Sequence, residues 1–303
     1  MQKAIELFRV HFLLVCRLNC STLTLGSEIV KSAIAKVLRK LTGAALRGVS
    51  DNKRYPQFCS RASRDESEFS AFRSNPIYNE ILEHVTEKQG GQYLEIIATD
   101  HVLFGAMDRF KRNDEFGGPQ TSEYPSIGRI SPSTLRYVKV LADLKKLFGS
   151  LDDLDICEIG IGYGGQCRII NAWFSSASYC LIDIAPALAL TRRYLENYAI
   201  SSILSYRTMN ELAPQDYDLA ISNYAFTELP RAIQDEYLQK VIMRSRRGYI
   251  TYNEISPAEF RSYTADELLR LIPGAERISE EPLTHPKNCL IVWGNGMSPG
   301  ERQ

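Results

Sequence analysis

The stretch DICEIGIGYGGQC, residues 155–167, runs from an apolar, strand-like segment into four glycines: Gly160, Gly162, Gly164 and Gly165. Glycine carries no Cβ, so a cluster of this kind lets another group approach the backbone closely. A triphosphate-binding loop needs GxxxxGK[ST], and no lysine follows these glycines. A dinucleotide fingerprint needs GxGxxG after a strand and an acid about 20 residues on. Gly160, Gly162 and Gly165 satisfy the first part and Asp183 the second. The same residues also read in another register, acid-x-Gly-x-Gly-x-Gly, through Glu158, Gly160, Gly162 and Gly164.

Downstream of this turn the chain alternates in period. Residues 155–160, 178–183, 216–223 and 248–253 read as strands, and residues 165–174, 187–199, 229–245 and 264–272 as helices. Two last strands are expected at 275–281 and 288–294, joined by PLTHPK. Alternating strands and helices imply a parallel sheet covered on both faces. The closing pair, joined by a short turn, implies an antiparallel edge. The expected fold is therefore α/β, a Rossmann-like doubly wound, mostly parallel sheet with a terminal antiparallel strand pair.

Upstream, ISPSTLRYVKV opens a helix, with Ser131 as N-cap and Pro132 in the first turn. Residues 111–130 show almost no periodicity and read as a long loop, a lid or acceptor-binding element. A helix is expected from Pro76 through IYNEILEHVT, residues 50–72 read as a linker, and residues 28–48 read as helical. Residues 1–130 are thus expected to form a mostly helical cap ahead of a domain at 131–297. The apolar stretch 8–25 is broken by Arg9, His11 and Arg17. It falls short of the roughly 20 residues of a membrane span and lacks the form of a signal peptide.

Lys+Arg and Asp+Glu both number 36 in 303 residues, a balance that argues against a protein built to grip nucleic acid. The seven cysteines form no CxxC pair. They suggest a reducing, cytoplasmic setting with no structural zinc. No other spacing amounts to a metal motif.

Two features separate the registers of the glycine turn. Glu158 before the first glycine and the segment DYDLAISNYAFTEL (216–229) resemble the methyltransferases that use S-adenosylmethionine, and the closing strand pair is a trait of the same proteins. EIGIGYGGQCRII, LIDIAPALALTRRYL, SNYAFTEL, GYITYN and ISPSTLRYVKV further resemble the sugar O-methyltransferase family of bacterial surface-glycan gene clusters, over roughly residues 70–295. The family has glycine where this chain has Ile161. The resemblance implies S-adenosyl-L-methionine as cofactor and the hydroxyl of a sugar or glycan precursor as acceptor. Glu158, Gly160, Gly162, Tyr163, Gly164, Asp183, Asn210 and Asn223 are the expected cofactor residues. Asp183 would accept the ribose hydroxyls, Asn210 would lie near the adenine, and Tyr163 would cover the methionine part or simply pack.

Catalytic groups are expected at the carboxyl ends of the strands. His285, in the last turn, is the first choice for the base that takes the hydroxyl proton, and Glu228 is the alternative. His101 is a weaker candidate. Tyr224, Tyr137 and Asn253 are expected to touch the acceptor, with Arg136 beside Tyr137 facing cofactor or acceptor. Two other readings stay open: an NAD(P)-dependent sugar oxidoreductase or epimerase, and a non-catalytic protein that binds S-adenosylmethionine on behalf of a partner.

Overall fold

The computed structural model describes residues 54–295. The helix expected at 28–48, the stretch 8–25 and residues Cys16 and Cys20 lie outside them. Among the described residues six helices precede the first strands, beginning with α1 (Arg54–Ala62), α2 (Glu66–Ser70), α3 (Pro76–Asn79), α4 (Glu87–Ile97) and α5 (His101–Phe104). A sixth, α6 (Met107–Lys111), leads into a two-stranded hairpin, β1 (Ser122–Tyr124) and β2 (Gly128–Ile130). Next come α7 (Pro132–Phe148), β3 (Asp155–Ile159), α8 (Gly165–Asn171), β4 (Ser178–Ile182), α9 (Ala185–Leu195) and β5 (Ile203–Arg207). The chain continues through β6 (Tyr217–Asn223), α10 (Arg231–Lys240), β7 (Ser245–Tyr252), α11 (Ala265–Leu271), β8 (Glu276–Ser279) and β9 (Cys289–Trp293).

Seven strands make the main sheet, in the order β5-β4-β3-β6-β7-β9-β8. β3 to β7 pair in parallel, while β9 runs antiparallel to both β7 and β8. The closing pair is thus present, but the last strand is inserted between β7 and β8 rather than added at the edge. The strands alternate their side chains between two cores. Ile156, Tyr179, Leu181, Leu219, Ile221 and Val292 face one, shared with α7, α8 and α9. Cys157, Ile159, Ile182, Ala220, Ile250 and Ile291 face the other, shared with α10 and α11. This is the Rossmann-like doubly wound arrangement that the alternation of periods predicts.

The upstream expectations need three corrections. Residues 50–72 are no linker where they are described. Tyr55, Phe58, Cys59 and Ala62 take helical spacing in α1 and are buried, as are Phe69 and Phe72. Charged residues between them dilute the hydropathy that would have signalled a helix. The helix at Pro76 stops at Asn79, and Thr86 and Gln89 form a capping box that starts a separate helix at Glu87. Residues 111–130 are not structureless. A 3-10 turn at Arg112–Asp114 and the hairpin order them, and Asn113, Tyr124 and Ile130 are buried.

Three arginines stand at the start of β7. Arg244 and Arg246 pair with Asp216 and Asp218 at the amino ends of β6 and β7, while Arg247 is buried. The described cysteines, Cys59, Cys157, Cys167, Cys180 and Cys289, are free and buried. Among the described residues no helix is long and apolar enough to cross a membrane.

Arg73 ties the upstream helices to the sheet. Its side chain is fully buried and donates to Glu83 at 2.6 Å, Asp114 at 2.8 Å, the Asn113 carbonyl at 2.9 Å and the Ser131 hydroxyl at 3.1 Å. Asp114 in turn accepts the Ser131 N–H and the Thr134 hydroxyl, both at 2.6 Å, and so caps α7 from outside the helix. Removing one partner from a buried ionic network leaves uncompensated charge, at a cost of about 3–5 kcal/mol. Arg73→Met is expected to lower the unfolding free energy by about that amount in urea titrations. A loss under about 1 kcal/mol, typical of exposed ion pairs, would show that the network is not structural.

Candidate active site

The site begins where β3 ends. Gly160 holds φ at +77° and Gly162 at +58°, a left-handed backbone that residues with a Cβ rarely adopt. A Cβ on Gly160 would stand 2.0 Å from the Ala225 side chain, and one on Gly162 would stand 3.0 Å from Leu82. Close approach at this turn is therefore used by the chain itself: the segment after β6 closes on Gly160, and the stretch between α3 and α4 lies over Gly162.

Tyr163 points away from this surface. Its ring is buried against Phe72, Tyr137 and Tyr194, its hydroxyl accepts from Asn113 at 3.0 Å, and the Arg73 guanidinium lies 4.7 Å from its centroid. Of the two roles expected for it, the structure provides the packing one. Gly164 starts α8 in the left-handed conformation.

Two carboxylates flank the loop. Asp183, one residue past β4, accepts the Gly162 N–H at 3.2 Å and the Ile184 N–H at 2.7 Å. It stands beside the loop, at the carboxyl edge of the sheet. Glu158 is different. Opposite Leu181 and Ile221 in register, it points into the core and is 2% exposed, rather than opening at the mouth of the strand. The Tyr179 hydroxyl donates to it at 2.7 Å. Burial pushes its carboxyl up to about 8, the hydrogen bond from Tyr179 opposes that shift, and the Asp183 charge adds to it.

A second group of residues collects at the carboxyl ends of β6 and β7. Asn223 ends β6; its Oδ1 accepts from the Thr251 hydroxyl at 3.3 Å, and its buried Nδ2 has no partner. Tyr224 follows with φ at +67°, a strained value for a residue with a Cβ. Its hydroxyl donates to Glu280. Glu228, in the 3-10 turn Ala225–Glu228, accepts from Asn253 Nδ2 at 2.7 Å, and Asn253 Oδ1 accepts from the Thr227 hydroxyl at 2.9 Å. Burial raises the Glu228 carboxyl, while the Asn253 hydrogen bond and the Arg136 charge hold it down. Between these groups and α7 lies a cavity of about 20 Å³, room for about one water molecule. Tyr93, Arg136, Tyr137, Asn223, Tyr224 and Glu280 are among its lining residues.

The structure brings together most of the residues expected from the sequence. Gly160, Gly162, Gly164 and Asp183 share the loop. Tyr137, Asn223 and Tyr224 share the cavity, with Glu228 and Asn253 hydrogen-bonded to each other beside it. Asn210 stands in the exposed 3-10 turn Met209–Glu211 after β5. His285 lies in the turn between β8 and β9, where its side chain is exposed and its carbonyl accepts the Asn288 N–H. His101 is exposed at the start of α5.

Glu280 went unnoticed in the sequence. It is buried, accepts from the Tyr224 hydroxyl, and takes the backbone N–H and hydroxyl of Thr284 at 2.9 and 2.7 Å. Its one sequence signal is a pair of glutamates ahead of Pro282, in a stretch that reads as an ordinary polar turn.

No family model matches the chain, and no curated protein matches it. Among solved structures it is similar to the pyocyanin biosynthetic protein PhzM, at 17% identity and TM-score 0.41, over 54% of this chain and 57% of that one. It is similar to the magnesium protoporphyrin IX methyltransferase ChlM from Synechocystis PCC 6803 with bound SAM, at 14% identity and TM-score 0.42, over 65% and 93%. An rRNA methylase from Streptococcus thermophilus shows 18% identity and TM-score 0.37, over 52% and 95%. The chain thus spans a little over half the length of PhzM. The fold assignment stands on the strand order and pairing described above.

Glu158 makes stability depend on pH in a definite direction. Its carboxyl binds a proton more tightly folded than unfolded. Its contribution is therefore complete below the ordinary value of 4.5 and is lost as pH rises through about 8. Glu158→Gln removes that titration. The melting temperature of wild type is expected to fall relative to the variant between pH 5 and 8, read by calorimetry at matched ionic strength. A constant difference across that window would mean that Glu158 is ionised in the folded protein throughout.

Proposed function

We propose that this protein transfers a methyl group from S-adenosylmethionine to a hydroxyl of a sugar or glycan precursor. The observation that carries the donor reading is the sheet order. A dinucleotide fold sets its six strands 3-2-1-4-5-6, all parallel; here an antiparallel β9 is inserted between β7 and β8. The reversed closing strand is the methyltransferase trait expected from the sequence.

The residues present fit that donor. Asp183 offers a carboxylate for ribose hydroxyls at the edge of the loop, and the buried Nδ2 of Asn223 is an unspent donor at the end of β6. Gly160, Gly162 and Gly164 would hold the methionine part, with Asn210 beside the adenine. The cofactor supplies a methyl group already activated by a sulfonium, so alignment is the main task left to the protein. Holding two reactants in line is worth about 7–11 kcal/mol of barrier.

Glu228 is the residue we assign to take the hydroxyl proton. The acceptor hydroxyl would give that proton to the carboxylate as its oxygen takes the methyl group, which the bound cofactor would supply with its sulfur as the leaving group. Partial burial raises the basicity of Glu228, and Asn253 orients it. His285, exposed on the neighbouring turn, is the second candidate for the same task. Tyr137, Tyr224 and Asn253 are the residues we assign to the acceptor, two flat faces and an amide that already orients Glu228; the cavity itself has room for about one water molecule and not for a sugar ring. A reaction of this kind places the protein in the cytoplasm, with the donor.

The test of the donor is calorimetric titration with S-adenosylmethionine, S-adenosylhomocysteine and NAD(P), repeated on Asp183→Ala. Micromolar binding of the adenosyl ligands, lost in the variant, is expected. Binding of NAD(P) alone would turn Gly160, Gly162 and Gly165 into a dinucleotide fingerprint. For the base, Glu228→Gln is expected to slow methyl transfer to a screened sugar acceptor by roughly 10²–10⁴-fold, with S-adenosylhomocysteine binding unchanged. The rate should rise with pH through a carboxyl lying above the ordinary range. Asn253→Ala, which removes a hydrogen bond that lowers that carboxyl, should move the rise to higher pH. A profile unmoved by either variant would shift the role to His285; binding without turnover on any acceptor would favour the non-catalytic partner.

A further inference from the structure

Arg136 has no ionic partner. It stands on α7 at the cavity, partly buried, and donates to the Leu82 carbonyl at 3.2 Å. Among the described residues no carboxylate lies within ion-pair distance of it. Three other cations on or packed against α7 have ionic partners: Arg73 pairs with Glu83 and Asp114, Lys139 with Asp143, and Lys145 with Asp100. A guanidinium presents five N–H groups in a planar fork. Withdrawing it from water without an anion is costly.

Its surroundings suit an anion that arrives with a ligand. The Tyr137 ring lies 5.5 Å from the guanidinium carbon, and Tyr93 and Tyr224 line the same cavity. Aromatic walls hold a cation in place without neutralising it. The position is also informative. Leu82, whose carbonyl Arg136 holds, is the residue that a Cβ on Gly162 would meet. Arg136 therefore stands between the glycine loop and the end of β6.

We propose that Arg136 is the receptor for the α-carboxylate of the donor's methionine part, an inference that rests on the donor reading given above. The alternative source of an anion is the acceptor. Charge argues against it: Glu280 lines the same cavity and Glu228 stands close enough to feel Arg136. A purely anionic group would meet two carboxylates there. An amino-acid end brings an ammonium and a carboxylate together, which matches a cavity holding one guanidinium and flanking acids. Arginine forks bind carboxylates through two parallel hydrogen bonds, so lysine is not an equivalent replacement.

The experiment compares two ligands on three proteins. S-adenosylhomocysteine carries the carboxylate; 5′-methylthioadenosine keeps the adenosine and the sulfur and lacks the amino-acid end. Dissociation constants are measured by calorimetry for wild type, Arg136→Met and Arg136→Lys, each checked for a cooperative melt. The expected result is S-adenosylhomocysteine binding weakened roughly 10–100-fold in Arg136→Met, less in Arg136→Lys, with 5′-methylthioadenosine unchanged in both. Equal weakening of the two ligands would mean that the substitution merely collapses the cavity, and would overturn the assignment. Unchanged S-adenosylhomocysteine binding would overturn it as well and return Arg136 to the acceptor side. If wild type takes up neither ligand, the donor reading itself fails and the Arg136 assignment falls with it.

Discussion

The arrangement depends on one buried cation. Arg73 reaches from the turn after α2 to the segment before α4, the 3-10 turn after α6 and the first turn of α7. It also lies over the ring of Tyr163, the one aromatic residue in the glycine turn. Burial works against its charge, and Glu83, Tyr163 and Asp114 more than offset that, so the guanidinium remains firmly protonated. The position of the glycine turn is thus fixed from both sides, by β3 below and by the Arg73 network above. The glycines of the turn have no side chains with which to fix it, so the buried Tyr163 and Ile161 carry that task.

The same contacts divide the site into two regions. On one side, Asp183 presents its carboxylate at the carboxyl edge of β3 and β4, held there by the N–H groups of Gly162 and Ile184. On the other, Asn223, Tyr224, Glu228 and Asn253 gather where β6 and β7 end. Tyr224 carries backbone strain there, and the hydrogen bond to Glu280 helps to hold it. Glu280 also receives both Thr284 donors, so the turn carrying His285 is anchored to the end of β6 through one carboxylate. Arg136 stands between the two regions. A reaction between a donor and an acceptor needs two regions meeting at one boundary.

How much of this could be read from the sequence varied along the chain for physical reasons. From residue 155 the strands are short, apolar and bounded by helices of clear period, because buried parallel strands must be apolar on both faces. Their positions were legible except for β5, an edge strand with no buried residue, and so was the grouping of Asn223, Tyr224, Glu228 and Asn253. Upstream, the helices are brief and bury one narrow stripe, as at Tyr55, Phe58 and Ala62, so charge masks their period. The order in residues 111–130 comes from long-range contacts, such as the hydrogen bond from Asn113 to Tyr163, that local pattern cannot express. Glu280 was illegible for a similar reason. Its burial is set by Tyr224 and Thr284, the former 56 residues away in sequence. The glycine turn was read as a point of close approach for a cofactor; the groups that approach Gly160 and Gly162 here are Ala225 and Leu82.

The most direct measurement is a crystal structure of the protein grown with S-adenosylhomocysteine. The account predicts the ribose hydroxyls on Asp183, the amino-acid end beside Arg136 and the sulfur facing Asn223 and Glu228. Electron density for the ligand elsewhere, or a glycine turn that admits NAD(P) and excludes S-adenosylhomocysteine, would contradict it.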